Sequence, residues 1–526
     1  VRTAVRVLSL DDPAPGAVRE SLMSDLGVRR EGRETVERRL LDSFDWRVWD
    51  AGAVLEHDIV RGAGAGWLVW RRRARGAKPA LVLGRQQVST APTTTADVGV
   101  GAVSRLLAPV LEMRALLPRA VLTIERERFG LLDDEDKTVA RVSLEHVVVA
   151  GSGDRRDCDL GWRVVVTGVR GYDDALERLV ARLAATPGVH AAPDDHDRVP
   201  FDAAGTTPGD YSSKLRVRIE PQMPTLQAFT TTCAILLDII QVNERGVRED
   251  MDSEFLHDFR VAIRRTRAML SQARGVLTDA ARAFYGNEFR WLAGETSELR
   301  DLDVYLLGFD DLAAQLPSAH RADLEPLRDL LVDLQGEAHA RLVAALDSPR
   351  YRELLDSWRA FLDAAEGGDD ADVPVGRAAG ERIWKAYRNV VRHGRRIGED
   401  APAEALHDLR KRAKKLRYLL EAHRSLYPKA DMKQLEGELK ALQDNLGAFQ
   451  DCDVQINRLR QFAELLDDRP GPTGPAALAM GLLTYQLDQR QQQARTEFHD
   501  RFARFDRRSN RRRFRRMFKP VTVSVS

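Results

Sequence analysis

Apolar and polar positions follow two different rhythms along the chain. Up to about residue 205 they alternate in short runs broken by turn formers, the period-two pattern of half-buried strands. Val5–Leu10, Trp67–Trp70 with Arg71–Arg73 after it, Ala80–Leu83, Ala120–Arg128, Thr138–Val149 and Gly161–Val169 are the predicted strands, and Asp133–Asp136 a hairpin turn. Asp173–Ala185 reads as an amphipathic helix closed by Pro187-Gly188. Ala191–Asp210, with its prolines, glycines and aspartates, reads as a linker, with a last strand near Lys214–Ile219. After Pro221 and Pro224 the period becomes helical. Helices are predicted at 225–245, 252–275, 280–309, 320–346, 376–397, 402–426, 430–466 and 474–506, with a short extra one at 350–366 and a break at Gly367–Pro374. Asp252 or Ser253 and the Ala401-Pro402 pair supply start signals. The expected fold is multidomain α+β: an antiparallel β domain at 1–205, a linker and final strand at 206–224, and an all-α domain at 225–518.

The helical part repeats itself. Leu256-His257-Asp258-Phe259-Arg260 returns as Leu406-His407-Asp408-Leu409-Arg410, an offset of 150 residues. Asp301, Asp303 and Val304 match Asp451, Asp453 and Val454 at that offset, and Arg290 matches Lys440. A register held through loops implies a duplicated unit, here two four-helix bundles at 225–346 and 376–506.

Wound as a helix, His257, Arg260, Arg264 and Arg267 fall within about 80° of one another. His407, Arg410, Lys414 and Arg417 occupy the same arc in the second copy, with Arg265, Lys411 and Lys415 as flanking cations. Like charges at these spacings repel, so a stripe built twice points to an anionic partner. The preceding helix adds Lys385, Arg388 and Arg392. Between Arg377 and Arg417 there are 13 Lys/Arg and 5 Asp/Glu, whereas the whole chain is only +1. Charge is thus segregated rather than absent. Arg290 and Lys440 are further candidate anion ligands. A metal at the two Asp-x-Asp pairs lacks Glu or His companions; a structural role, capping a helix or fixing the cations by salt bridges, is expected for those aspartates.

Three cysteines without a CxxC spacing exclude a disulfide framework and a cysteine-based zinc site. The longest apolar run, Cys233–Ile240, is interrupted by Asp238, so no membrane span is expected. No signal-like segment is visible, and a cytoplasmic location is expected. The tail from Arg501 to Lys519 holds 10 Lys/Arg and one acid; it reads either as an extension of the basic surface, as a nonspecific nucleic-acid contact or as a solvated end.

The two His–Arg stripes, Arg300-Asp301-Leu302-Asp303-Val304 and Leu442-Gln443-Asp444-Asn445-Leu446-Gly447 resemble the CHAD domain, the conserved-histidine α-helical domain, over roughly residues 221–518. That resemblance implies two four-helix bundles that bind inorganic polyphosphate through a basic groove or pore, often on polyphosphate granules. The phosphate ligands it suggests are His257, Arg260, Arg264, Arg265, Arg267, Arg290, Lys385, Arg388, Arg392, His407, Arg410, Lys411, Lys414, Lys415, Arg417 and Lys440. The chemistry suits this: a chain of phosphates needs a track of Lys and Arg, and the stripes carry almost none of the aromatics that stack on nucleic-acid bases.

Val36–Asp45, Gly66–Arg73 and Val164–Tyr172 resemble the CYTH, or triphosphate-tunnel, fold, which implies an N-terminal antiparallel β-barrel. The family's opening Glu-x-Glu-x-Lys is missing from Val5–Leu10, and the late strand Trp162–Val166 lacks an acidic pair. Hydrolysis is therefore not expected, and Mg²⁺ enters only if this domain is active. Glu125 and Glu127 are expected to form ordinary strand salt bridges, and Arg71, Arg73, Arg126 or Arg128 could still meet phosphate. The leading expectation is a polyphosphate-binding protein; a metal-dependent triphosphatase and a nucleic-acid-associated protein are the alternatives.

Overall fold

The computed structural model describes residues 3–11, 14–24, 28–74, 78–151, 153, 155–193, 195–215, 217–470 and 473–519. The chain divides into two compact units, Val1–Lys214 and Leu215–Ser526.

The first unit is a barrel. Its strands are β1 (Thr3–Leu10), β2 (Val28–Asp42), β3 (Ala53–Val60), β4 (Gly66–Arg72), β5 (Ala80–Val88), β6 (Leu117–Leu132), β7 (Thr138–Val149), β8 (Cys158–Gly168) and β9 (Val189–Ala191). All neighbours are antiparallel in the order β5-β4-β3-β2-β6-β7-β8-β1, and Val5 of β1 pairs back with Ala80 of β5, so eight strands close the ring while β9 adds to β1. Closure removes the exposed edges of an open sheet. Helices α1 (Ala14–Ser24), α2 (Arg47–Asp50), α3 (Thr95–Val98), α4 (Ala102–Leu111), α5 (Asp173–Ala184) and α6 (Val199–Ala203) accompany the strands. Leu176, Leu179 and Leu183 of α5 pack on Val142, Val164 and Val166 outside the barrel, and Val103, Leu107 and Leu111 of α4 pack on Leu55 and Leu68.

The long β2 and the buried β3 are absent from the sequence reading. Strand β2 carries nine charged residues in fifteen, and β3 buries Glu56 and His57. A charged barrel interior abolishes the apolar-in, polar-out alternation on which that reading depends. The final strand expected at Lys214–Ile219 also does not form; Arg216 lies outside the described residues, and the others have no regular structure. Ile219 instead packs with Ala228 and Val375 at the start of two helices.

The second unit contains α7 (Thr225–Arg248), α8 (Ser253–Gln272), α9 (Asp279–Glu295), α10 (Ser297–Leu307), α11 (Phe309–Ala314), α12 (Glu325–Asp347), α13 (Pro349–Asp363), α14 (Val375–Gly394), α15 (Ala403–Ala422), α16 (Lys429–Asp467), α17 (Gly474–Phe505) and α18 (Arg508–Phe518). Helix starts obey the repeat: 225 and 375, 253 and 403, 279 and 429 differ by 150. Asp252 caps α8 by accepting the N–H groups of Glu254 and Phe255. Pro224 pairs antiparallel with Pro374, its own equivalent. On either side Thr225 N–H donates to Val373 O at 3.0 Å and Val375 N–H to Met223 O at 2.9 Å. Residues that hydrogen-bond reciprocally with their own repeat mates mark a local two-fold axis between the halves.

Three details differ from expectation. The helix read at 280–309 is interrupted at Thr296, and the one read from 320 begins at Glu325 after two 3₁₀ turns. The basic tail is ordered as α18: its Phe514 stacks on Tyr387 of α14, centroids 3.9 Å apart. Helix α7 is long and apolar enough, by length and composition, to cross a membrane, although Cys233–Ile240 alone is too short. Half of its most apolar window is buried in the bundle, Phe229, Cys233, Leu236 and Ile240 among those side chains.

Candidate anion-binding site

Helices α8, α15 and α16 enclose a groove of about 530 Å³. Arg264 and Arg265 reach it from the first repeat, Arg410, Lys414 and Arg417 from the second. The apolar face of each helix (Phe259, Ala262 and Ile263; Leu409, Ala413 and Leu416) is buried in its own bundle, which turns the charged face to the groove.

The cations form two layers. His257, Arg260, Arg265, His407 and Arg410 are half-buried, while Arg264, Arg267, Lys414 and Arg417 are exposed. The inner layer is held in matching ways. Arg300 donates to His257 Nδ1 at 3.2 Å, and His407 Nδ1 donates to Gln450 Oε1; both partners lie 43 residues downstream. That leaves Nε2 of each ring directed away from its anchor. Arg260 donates to Thr296 Oγ1 at 2.9 Å; Arg410 donates to Gly447 O at 2.9 Å and to Asp451 at 3.0 Å. Thr296, where α9 ends, is thus the residue that fixes Arg260.

Acidic side chains occupy several of the others. Arg417 pairs with Glu421 at 2.5 Å, Lys440 with Asp444 at 2.7 Å, and Lys411 lies 3.5 Å from Asp408. Arg290 donates to Asn287 Oδ1 at 2.7 Å. Among the described residues Arg264 and Lys414 make no ion pair. The tip of Lys414 meets solvent, yet the groove walls remove part of its water. That desolvation, with Arg410 and Arg264 nearby, holds its ammonium below the ordinary lysine range. Burial likewise lowers His257, with Arg300 acting in the same direction against Glu254.

Of the candidates, Arg264, Arg265, Arg410, Lys414 and Arg417 line the groove, whereas His257, Arg260, Arg267, Arg290, His407, Lys411 and Lys440 are not among its lining residues. Lys385, Arg388 and Arg392 stand on the exposed face of α14, and Lys415 points to that side, its ammonium lowered by burial and by Lys385 and Arg412. Of the aspartates, Asp451 pairs with Arg410 and Asp301 lies near Arg260. Asp303 is buried and pushed up to about 6 by desolvation, whereas its equivalent Asp453 is exposed. The partners missed from sequence are Arg300, Thr296 and Gln450. The repeat contained the signal, since 257/300 and 407/450 keep both the 150-residue offset and the same separation.

The barrel encloses a cavity of about 920 Å³ with ionic walls. Arg38 makes two bonds to Asp58, at 2.6 and 2.7 Å. Arg71 pairs with Glu56 at 2.7 Å and Asp197 at 2.8 Å, and Glu145 takes Arg126 at 3.1 Å and Arg163 at 2.8 Å. Burial disfavours the Glu145 carboxylate, but Arg163, Arg126 and Arg38 more than offset it and hold it below the usual range. A hard cation needs free carboxylates; here each of these is already committed to a guanidinium, and no cluster of metal-ligating side chains occurs among the described residues. The donor set does not fit Mg²⁺. Of the arginines expected to meet phosphate here, Arg71 and Arg126 are paired in this network, Arg128 lies 3.6 Å from Glu34, and Arg73 stacks over Trp49. Glu127 bridges Arg19 and Arg30, and Glu125 bridges Arg33.

Residues 233–460 match the family model of the CHAD domain. The helical unit carries a CHAD domain. Both basic stripes, on α8 and α15, lie within the matched residues, and the groove opens between them. An uncharacterized protein of Mycobacterium tuberculosis, Rv2226, is 29% identical over 339 residues, 60% of this chain; the chain spans 60% of that relative's length. The crystal structure of the CHAD domain from the plant Ricinus communis matches 56% of this chain and 96% of its own, at 23% identity and a TM-score of 0.47. The structure of the Hippeastrum adenylyl cyclase homologue HpAC1, a protein with a dominant triphosphatase activity, matches 40% of this chain and all of its own, at 8% identity and a TM-score of 0.29. The closed eight-stranded barrel is the antiparallel β-barrel expected for the N-terminal part.

Proposed function

We propose that the CHAD groove binds inorganic polyphosphate and that the protein works by binding rather than by hydrolysis. The observation that carries this reading is the convergence of Arg264 and Lys414, equivalent cations of the two repeats, on one groove without an acid partner. Placing like charges side by side costs free energy, and a polyanion recovers that cost by taking the place of the missing acids. Arg265, Arg410 and Arg417 extend the contact, and His257 and His407 offer ring nitrogens at one end. Such binding weakens with salt through counterion release. Among the described residues Tyr418 is the only aromatic lining the groove, which favours a simple phosphate chain over stacked bases.

The barrel is proposed to be non-hydrolytic, because its carboxylates neutralise its own arginines. The same reading puts the protein on polyphosphate granules, which fluorescence microscopy of the tagged protein would test. Competition separates polyphosphate from nucleic acid: labelled polyphosphate bound to the full chain should resist RNA at equal phosphate concentration. Displacement by RNA at parity would overturn the reading.

A further inference from the structure

The groove leaves unused the basic faces of α14 and α18. Helix α18 buries Phe514 and Phe518 against α14 and turns its charged side outward. Arg513 and Arg516 are tied to Asp431 of α16, at 2.9 and 2.8 Å. Arg508, Arg512, Arg515 and Lys519 follow at helical spacing, are exposed, and make no ion pair among the described residues. Beside them runs the exposed stripe of α14, Lys385, Arg388 and Arg392; among the described residues its one hydrogen-bond partner is Asn389, bound by Arg392. Asp506 joins the two helices by accepting both Arg395 of α14, at 2.8 Å, and Arg511 of α18, at 3.2 Å.

This face is connected to the groove by neighbouring cations. Lys414 on the groove wall is followed by Lys415, which turns to the α14 side. Lys415 and Lys385 are close enough for each charge to oppose the other. From Lys385 the stripe continues along α14 to Arg395, then through the Asp506 bridge to α18. Along it Asp506 is held by Arg395 and Arg511, and Asp431 by Arg513 and Arg516.

We propose that the α14–α18 face is a second binding segment for the same polyanion, engaged by a long phosphate chain whose other part lies in the groove. This rests on the groove reading and goes beyond it. A linear polymer held at two linked sites gains through effective concentration, so the second segment makes the protein selective for chain length. A membrane partner fits less well, because the apolar side of α18 is already spent on α14. Nucleic acid fits less well because no aromatic ring on α14 or α18 is exposed.

The test compares tripolyphosphate with long-chain polyphosphate on the full-length protein. In the variant Arg508→Glu/Arg512→Glu/Arg515→Glu, tripolyphosphate binding should be unchanged, while long-chain affinity falls roughly tenfold to a hundredfold. A second variant, Arg388→Glu/Arg392→Glu, should behave the same way and does not touch α18 packing. Unchanged long-chain affinity in both variants overturns the proposal. So does a loss confined to RNA or to anionic vesicles, which would assign the face to those partners. Failure of wild-type protein to bind either phosphate ligand would instead sink the groove reading, so the two failures are distinguishable.

Discussion

Arg264 and Lys414 occupy one position in two copies of the same helix and open onto one groove, although 150 residues separate them. Their proximity is part of the reason Lys414 binds its proton less tightly than an isolated lysine, after partial burial and Arg410. The duplicated fold has thus brought two like charges to one groove, and neither makes an ion pair among the described residues.

If both contact the ligand, each contributes to counterion release. Arg264→Ala and Lys414→Ala should each make the plot of log affinity against log salt shallower by about 1. Binding measured across a salt series checks this; an unchanged slope in either variant would remove that residue from the contact.

The depressed Lys414 gives binding an alkaline limit. Phosphate chains prefer the protonated ammonium, so affinity is complete below the pKa of free Lys414 and falls as pH rises through it. Because that pKa lies below the usual 10.5, the fall begins earlier than for an exposed lysine. Lys414→Arg, which stays charged, should flatten the profile while keeping affinity near neutrality. A profile identical in the two proteins would contradict the assignment.

Stability should respond to acid through His423. This ring is fully buried, its Nδ1–H donates to Leu419 O at 2.9 Å, and burial pushes its pKa down to about 4. In the unfolded chain it titrates at its ordinary value, so the unfolded state binds more protons between the two. The neutral ring's contribution is complete above about pH 6.5 and lost as pH falls toward 4, an effect of about 3 kcal/mol. Urea melts of wild type and His423→Leu should therefore converge as pH drops from 7 to 4. A constant gap between them would show that the ring is not held neutral.

In the barrel, Glu145→Gln would leave Arg126 and Arg163 without their shared carboxylate, with an expected loss of about 3 kcal/mol. Tripolyphosphate incubated with Mg²⁺ or Mn²⁺ should release no phosphate. Metal-dependent release would overturn the non-hydrolytic reading, and an unchanged melt of the Glu145 variant would show that the cavity tolerates free charge.

Much of this was legible in the sequence, for a physical reason. Helices that bury one face and repeat at a fixed offset leave both a periodicity and a register, so the stripe on α8 and α15 could be read directly. Convergence of the stripes depends on the local two-fold at Pro224 and Pro374, which lies in short turns without periodic signal. The anchors Arg300 and Gln450 sit on other helices and are visible only through the offset, and Thr296, between α9 and α10, has Leu446 as its repeat mate and so leaves no such signal. Strands β2 and β3 were hidden because Arg38, Glu56 and Asp58 point into an ionic interior, where charge no longer marks the outside. Helix α18 was obscured in a different way: its many arginines masked the two phenylalanines that dock it.

Equilibrium binding of long-chain polyphosphate to wild type and to Arg264→Glu/Lys414→Glu at about 0.15 M salt, where weak surface attraction is screened, is the most direct test. Two charge-assisted contacts are lost, so affinity should fall roughly a hundredfold or more, while the melting temperature stays within a few degrees because both side chains are exposed. Wild-type affinity retained by the folded double variant would contradict the groove as the polyphosphate site.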